Sequence, residues 1–111
     1  MSSDPEGGEA GQGGQRFTDN FARLLGLHAL TQNFAGRLLG VSNATMSSWL
    51  NGKSLPSLSK AIAIGDLFEI STDRLMGAAF SDLLGTELAD RDRYERVEQR
   101  IRRARSDLHA V

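Results

Sequence analysis

The sequence predicts an all-α protein, and three observations support that fold class. First, apolar residues between Phe17 and Gly77 recur at steps of three and four, and no stretch shows the strict alternation of a half-buried strand. Second, residues that commonly cap helix N-termini stand directly before these apolar runs. Third, a charged segment after Gly77 keeps apolar residues at the same helical steps. With 111 residues, the chain can bury one modest core and is expected to form one domain.

The N-terminal segment, residues 1–15, differs from the rest of the chain. It reads MSSDPEGGEAGQGGQ, with five glycines and one proline, and only Met1 and Ala10 are apolar. Such a segment cannot bury enough apolar surface to offset the entropy lost on ordering. We therefore expect a disordered tail over residues 1–15 and the start of the folded chain at residue 16.

Local signals predict five short helices over residues 16–78. Their predicted N-terminal capping residues are, in order, Thr18, Thr31, Ser42, Ser57 after Pro56, and Ser71 or Thr72. The first helix should end near His28, whose imidazole can interact with the helix dipole. The second should end near Leu39, where Gly40 can adopt a left-handed stop. The fifth should end at Gly77.

The third predicted helix lies within GVSNATMSSWLNGK, residues 40–53, and has an unusual outer face. Met46, Trp49 and Leu50 share one helical face and are assigned to the core. The opposite side carries small uncharged residues, namely Asn43, Ala44, Thr45, Ser47, Ser48 and Asn51. A helix that only faces solvent normally carries Glu, Lys, Arg or Gln there, because those residues stabilise a helix better. The pattern indicates a face kept for contact.

Charge is distributed unevenly along a chain whose net charge is −1. From Asn20 to Gly65 there is no Asp or Glu, and four basic residues give this window a local charge of +4. The four are Arg23, Arg37, Lys53 and Lys60. Seven acids balance seven arginines after residue 80. The middle of the chain could therefore face a polyanion without like-charge repulsion.

Composition argues against several classes of protein. The chain has no cysteine and two histidines, so disulfides, thiolate chemistry and a histidine metal site are not expected. The predicted folded region offers no paired carboxylates, activated nucleophile or phosphate-binding glycine loop, so we expect neither an enzyme nor a cofactor. No run approaches the roughly 20 apolar residues of a membrane span, and no signal peptide is recognisable. We expect a soluble, cytoplasmic protein without a metal or a membrane partner.

The charged segment of residues 87–108 has a narrow apolar seam. The seam consists of Tyr94, Val97, Ile101, Ala104 and Leu108. Asp92 with Arg96, and Glu98 with Arg102, have the spacing of ion pairs along a helix. Two arrangements are open: the seam packs back on its own domain, or it pairs with the same helix of a second subunit. Because the seam is narrow and flanked by arginines, we favour the dimer and assign residues 79–111 to dimerisation.

The stretch TQNFAGRLLGVSNATMSSWLNGKSLPS resembles the helix-turn-helix of the Cro and phage-repressor type, the XRE family. The similarity spans about residues 18–77 and continues through LFEISTDRLMG, which is similar to the family's fifth helix. The resemblance implies a five-helix, lambda-repressor-like helix-turn-helix domain over residues 16–78, with a C-terminal amphipathic helix after it.

Two features depart from the family's pattern. Gly36 stands where the family often has alanine, which still permits a close helix approach but costs up to about 1 kcal/mol in helix propensity. Leu50 replaces an acidic residue that the family often pairs with an arginine, and Leu25 occupies the arginine's position. We therefore expect an apolar pair in place of that ion pair, without the phosphate contact that the arginine makes.

The resemblance implies double-stranded DNA as the partner and transcriptional regulation as the function, with repression as the expected effect and activation as the open alternative. Residues 43–51 would be the recognition helix, because small polar side chains let a helix approach base edges in the major groove. The expected base contacts are Asn43, Ala44, Thr45, Ser47 and Ser48. The expected phosphate contacts are Gln32, Arg37, Asn51, Gly52 and Lys53.

Other interpretations stay open at this point. Asn51 and Gly52 also form an ordinary turn sequence, and Arg37 could be a solvated charge. A different function on the same fold is a protein-interaction module, such as an antitoxin-like protein whose C-terminal helix binds a regulatory protein partner. Because one domain makes few phosphate contacts, we expect a homodimer on a roughly palindromic operator with half-sites about one helical turn apart.

Overall fold

The computed structural model describes residues 11–109, with side chains from residue 14 to residue 108. This part of the chain contains helices and no strand. The helices are α1 Gly11–Leu27, α2 Gln32–Leu39, α3 Asn43–Leu50, α4 Leu58–Phe68, α5 Thr72–Gly77, α6 Phe80–Gly85 and α7 Arg91–His109, with a 3₁₀ turn at Glu87–Ala89. The predicted all-α class with a long C-terminal helix is confirmed.

Side-chain caps confirm four of the predicted helix starts. The capping hydroxyls belong to Thr31, Ser42, Ser57 and Ser71. Each hydroxyl accepts a hydrogen bond from a backbone N–H of the first helical turn, a group that helix geometry leaves without an internal partner. Gly40 follows α2 in the left-handed conformation, with φ of +71°. Local chemistry therefore sets the ends of these short helices.

The first helix begins earlier than predicted. α1 starts at Gly11, so Thr18 lies inside the helix and the prediction of an N-cap there is wrong. The Thr18 hydroxyl instead donates to the carbonyl oxygen of Trp49, 3.2 Å away. Phe17 is fully buried and gives the N-terminal part of α1 an inward-facing anchor. Residues 11–15 of the predicted tail are helical, and residues 1–10 lie outside the described residues.

The core is built around α1, which packs against α3 and α5. The rings of Phe17 and Phe21 stack with centroids 5.3 Å apart, and Trp49 meets them edge-on at 6.5 Å and 6.1 Å. Asn20 is fully buried on the same helix and donates to two carbonyl oxygens at the end of α5, each 2.9 Å away. α1 thereby supports both α3 and the C-terminal end of the five-helix unit.

The C-terminal helix α7 packs back on its own domain. Val97 is fully buried and Ile101 is 4% exposed within the single chain. Tyr94, Ala104 and Leu108 lie half-buried along the same face, and α7 contacts α4 and the 3₁₀ turn. The expectation that this seam faces a second subunit does not fit this packing, because the centre of the seam is already removed from solvent.

A carboxylate between two arginines fastens α7 to α4. Glu69, the C-cap of α4, accepts from Arg96 at 2.7 Å and 3.0 Å and from Arg100 at 3.1 Å. Chiefly because Arg96 donates to it, the pKa of Glu69 falls to about 2. A forked tertiary contact of this kind is stronger than an exposed pair along one helix, and it takes Arg96 away from the predicted partner Asp92.

His28 lies inside the fold. Its ring stacks with Phe68 and Tyr94 at centroid distances of 5.6 Å and 4.9 Å, and Nδ1 is 2.6 Å from Oε2 of Glu98. Burial lowers the pKa of His28, and the contact with Glu98 opposes this effect. Glu98 is therefore engaged by His28 and not by the predicted partner Arg102.

Arg93, in the first turn of α7, is buried without a hydrogen-bond partner for its guanidinium among the described residues. The carboxylates of Glu69, Asp90 and Glu87 act on it through space. Burial lowers the pKa of Arg93, but a guanidinium stays protonated in proteins. A buried charge without hydrogen bonds lowers stability.

We expect acid to destabilise the fold through His28. The unfolded histidine has a pKa near 6.5 and the folded one has a lower pKa, so below pH 6.5 the unfolded chain binds the additional proton. The free energy of unfolding should keep its full value above pH 6.5. It should fall as the pH decreases from 6.5 towards the pKa of His28 in the folded protein. Urea unfolding between about pH 7.5 and about pH 5 measures the slope.

The His28→Gln variant is the control for this measurement, because it keeps His109 and every carboxylate. Its free energy of unfolding should depend less on pH over the same range. Glu69 and Glu87, with pKa values of about 2 in place of 4.5, contribute only at lower pH. Equal slopes in the two proteins would contradict the prediction.

Replacing Arg93 with methionine should stabilise the protein. The substitution keeps an unbranched side chain and removes the desolvated charge, so the free energy of unfolding should rise by about 1 to 3 kcal/mol. The exposed Arg91, in the same turn, gives the matched control Arg91→Met, which should change stability by less than about 0.5 kcal/mol. Chemical denaturation of the three proteins tests this, and a loss of stability in Arg93→Met would show that the neighbouring carboxylates outweigh burial.

Candidate nucleic-acid interface

Helices α2 and α3 approach each other closely at Gly36. A Cβ atom at this position would lie 3.0 Å from the carbonyl oxygen of Val41 and 3.1 Å from Cγ of Met46. Both distances are shorter than a comfortable contact between heavy atoms. Met46 is fully buried and Trp49 is 4% exposed, so α3 is held by its inner face. The absent side chain of Gly36 lets the helix pair close, as the sequence predicted.

The face of α3 opposite Met46 and Trp49 is open. Asn43, Ala44 and Asn51 are exposed, and Thr45, Ser47 and Ser48 are half-buried. The Thr45 hydroxyl accepts from Ser42 at 3.1 Å, within the capped first turn. α7 lies against α4 and the 3₁₀ turn and leaves this outer face uncovered among the described residues. All five predicted base-contact residues therefore belong to one accessible helix.

Hydrogen bonds orient the polar groups on this face. Asn51 donates to the Ser47 hydroxyl at 3.2 Å, and the hydroxyls of Ser48 and Ser54 are 2.7 Å apart. A hydroxyl that accepts one hydrogen bond can still donate another, so these side chains keep capacity for an outside partner. Sequence reasoning did not include Ser54, because its contact with Ser48 exists only once the chain turns after α3.

Gln32 and Asn43 meet where α2 and α3 begin. Nε2 of Gln32 lies 3.3 Å from Oδ1 of Asn43 and 3.4 Å from its carbonyl oxygen. Each is the first residue of its helix, so the positive ends of two helix dipoles lie close together. Anions bind favourably at such ends. The predicted phosphate ligand and the predicted base ligand thus form one continuous polar surface.

The turn after α3 requires a glycine. Gly52 has φ of +73°, and its N–H donates to the carbonyl oxygen of Trp49 at 3.2 Å. Asn51 and Lys53 flank it and are exposed. This geometry supports the structural role of the Asn51–Gly52 pair as a turn, and contact of these three residues with phosphate stays a prediction.

The four cations between Asn20 and Gly65, the stretch without Asp or Glu, differ in their contacts. Arg23 pairs with Asp19, just outside the window, at 2.9 Å, and Nζ of Lys60 donates at 2.8 Å to a carbonyl oxygen at the end of α2. Arg37 and Lys53 are exposed, and within the described part of the chain no carboxylate pairs with either. Arg37 occupies the last turn of α2, away from its N-terminus. Of the four cations counted in the sequence, only Arg37 and Lys53 therefore have no such partner among the described residues and remain available to an anion.

Leu25 and Leu50 take part in the apolar packing of the domain. Leu25 is 6% exposed in the core, and Leu50 is partly buried against it. This burial agrees with the expected replacement of an ion pair by apolar residues between α1 and α3.

The end of α7 reaches the helix-turn-helix, which the sequence did not predict. The Arg105 guanidinium lies 4.2 Å from the centre of the Phe34 ring. Phe34 is in the first turn of α2, close to Gln32. No pattern in the sequence joins these residues, because they lie far apart along the chain.

Among the described residues, no cluster of three metal-ligating His, Asp or Glu side chains occurs. None of the described helices combines the length and the apolarity needed to cross a membrane.

We expect Gly52→Ala to cost about 1 to 2 kcal/mol of stability, because the substituted residue must keep a left-handed backbone. Gly52→Asn should cost less, since asparagine tolerates that conformation. Gly26 is exposed within α1 and a Cβ there would meet nothing within 4 Å, so Gly26→Ala is the control and should stabilise by roughly 0.5 to 1 kcal/mol. Chemical denaturation checks the order of the three variants, and a Gly52→Ala protein as stable as the parent would refute it.

Comparison with known proteins agrees with this architecture. The HTH_3 helix-turn-helix family matches residues 21–75, from α1 through most of α5. No curated protein and no solved structure shows a significant match to the chain. The matched family binds DNA and is typically non-catalytic. Residues 21–75 are thus a helix-turn-helix domain of the XRE type, that is, the Cro and phage-repressor type, which is a DNA-binding family.

Proposed function

We propose that the protein is a transcriptional repressor that binds a specific double-stranded DNA operator through α3. The observation that carries this proposal is the open, uncharged outer face of α3 beside the adjoining N-termini of α2 and α3. A bound domain can block transcription simply by occupying the operator, so repression requires no further surface.

Base recognition is assigned to the outer residues of α3. Asn43 can form a bidentate pair with N6 and N7 of adenine, and its contact with Gln32 orients the amide for that purpose. Ser47 and Ser48 can donate to or accept from base edges, while Ala44 and the Thr45 methyl group can contact thymine methyl groups. One bidentate pair discriminates against a wrong base by about 1 to 3 kcal/mol.

Phosphate binding is assigned to groups on both sides of this face. Gln32 lies at the N-terminus of α2, where free N–H groups and the helix dipole favour an anion. Asn51, Gly52 and Lys53 lie beyond the other end of α3, and Lys53 supplies an exposed positive charge. Arg37 lies in the last turn of α2, away from the N-terminus of that helix. These interactions fix the position of α3 without reading the sequence.

We further propose that the protein occupies its operator as a homodimer that does not use the seam of α7. Leu55, Leu58 and Ile62 are 41%, 71% and 44% exposed, and they follow directly after α3. The three side chains are apolar and exposed, so two copies could bury them against each other across a two-fold axis. Its place beside the recognition helix fits a second copy on a neighbouring half-site.

The alternative function, an interaction module that binds another protein through α7, has less support. The apolar residues of that helix are used within the domain, and the outer face of α3 has no role in such a module.

Selection of bound duplexes from a random pool tests the proposed function. The parent protein should enrich a defined sequence with two-fold symmetry. Asn43→Ala should lose preference at one base pair of each half-site, with a loss of about 1 to 3 kcal/mol for the preferred duplex. Fluorescence anisotropy on selected and scrambled duplexes gives the affinities.

Lys53→Ala is the matched control for this experiment. It should weaken binding to both duplexes equally, because a phosphate contact carries no base information. Binding of the parent should also weaken steeply as salt rises. Enrichment of no sequence, together with salt-independent or absent duplex binding, would favour the protein-interaction alternative. Enrichment of a single half-site would contradict the proposed homodimer but would leave the proposal of specific DNA binding intact.

A further inference from the structure

The C-terminal half of α7 carries exposed arginines that no carboxylate pairs with in the described part of the chain. Arg96 and Arg100 bind Glu69, whereas Arg102, Arg103 and Arg105 are exposed. Within the described part of the chain, no carboxylate lies within ion-pair distance of these last three. Arg102 is left unpaired in this way because its helical neighbour Glu98 is bound by His28. The exposed arginines therefore keep their charge available for an outside anion.

Two contacts locate one flank of α7 beside the start of the helix-turn-helix. Glu98 meets His28, directly after α1, at 2.6 Å. Two turns later, Arg105 lies with its guanidinium 4.2 Å from the centre of the Phe34 ring, in the first turn of α2. This flank therefore runs from the end of α1 to the N-terminus of α2, where Gln32 lies.

Helical geometry separates the exposed arginines into two groups. At about 100° per residue, Arg102 and Arg105 lie within about 40° of Glu98 around the helix, while Arg103 lies about 140° from Glu98. Arg103 instead shares a surface groove with Arg96 and Arg100. Only Arg102 and Arg105 are thus on the side of α2.

We propose that Arg102 and Arg105 bind DNA phosphates next to those at the N-terminus of α2 and extend the interface beyond the helix-turn-helix. This inference rests on the proposed function, because it places the DNA backbone at Gln32. The contact of Arg105 with the Phe34 ring holds the guanidinium in position before DNA binds. This reduces the side-chain conformational entropy that is lost on binding. Because phosphates are the same in every sequence, these arginines raise affinity without adding specificity.

The location also explains the packing of α7 on its own domain. A helix that projected from the domain to pair with a second subunit would carry its arginines away from α2. The buried Val97 and Ile101, the contact between His28 and Glu98, and the contact of Arg105 with Phe34 hold the arginine-bearing flank beside α2. The C-terminal helix is thereby part of the DNA-binding surface.

The salt dependence of DNA binding by the full chain tests this proposal. Each phosphate contact contributes about 0.9 to the slope of log affinity against log salt, so the double variant Arg102→Ala with Arg105→Ala should lower the slope by about two for each bound protomer, or by about four for a dimer on its operator. Its affinity should fall by the same factor for the selected operator and for a scrambled duplex. Changing both residues to lysine should keep most of the slope, because the charge is retained.

The double variant Arg91→Ala with Arg103→Ala is the control, since it removes the same charge from exposed positions away from α2. It should leave the slope close to that of the parent, and circular dichroism checks that each variant is folded. An equal reduction in both double variants would overturn the proposal in favour of a general charge effect, and an unchanged slope in the first would also overturn it. A parent protein that binds no duplex would overturn the proposed function itself, and this inference with it.

Discussion

The edge-on packing of Trp49 against Phe17 and Phe21 is the interaction on which the binding surface depends. α3 has eight residues and an outer face of serine, threonine and asparagine, a composition that gives little helix stability in isolation. The helix persists because Trp49 and Met46 are buried, while Gly36 lets α2 close against it. The inner face supplies the stability, and the outer residues are consequently free to be chosen for recognition.

The positive charges of the domain are likewise divided between contacts within the protein and exposed positions. The region around α2 and α3 has no acidic residue of its own, and two of its four cations have partners within the protein. Arg23 pairs with Asp19 on the surface, and Lys60 donates to a carbonyl oxygen at the end of α2. A few exposed cations can position a duplex but give a small electrostatic contribution to affinity. A second set of cations on α7 would compensate for this, and Glu98, the acidic residue one turn before Arg102, is bound by His28.

α7 is attached to the domain by interactions of unequal quality. The forked contact of Glu69 with Arg96 satisfies both partners, whereas Arg93 is buried with its guanidinium unsatisfied among the described residues. His28 is held between Phe68 and Tyr94 with one nitrogen on Glu98. The attachment is therefore stable near neutral pH, although the buried guanidinium of Arg93 lowers the stability of the protein. The docked helix leaves the outer face of α3 uncovered, which DNA binding requires.

The sequence by itself determined the all-α class, four helix caps and the residues on the outer face of α3, because caps and helical periodicity depend on neighbours three or four positions away. It misjudged the start of α1, where the burial of Phe17 outweighs the glycine-rich composition of the preceding residues. Only the tertiary structure decided that the seam at Val97 and Ile101 faces its own domain, that Glu98 binds His28, and that Arg105 reaches Phe34. An apolar seam or an exposed charge specifies the kind of partner it needs but not which one, and the partner is chosen when distant parts of the chain pack together.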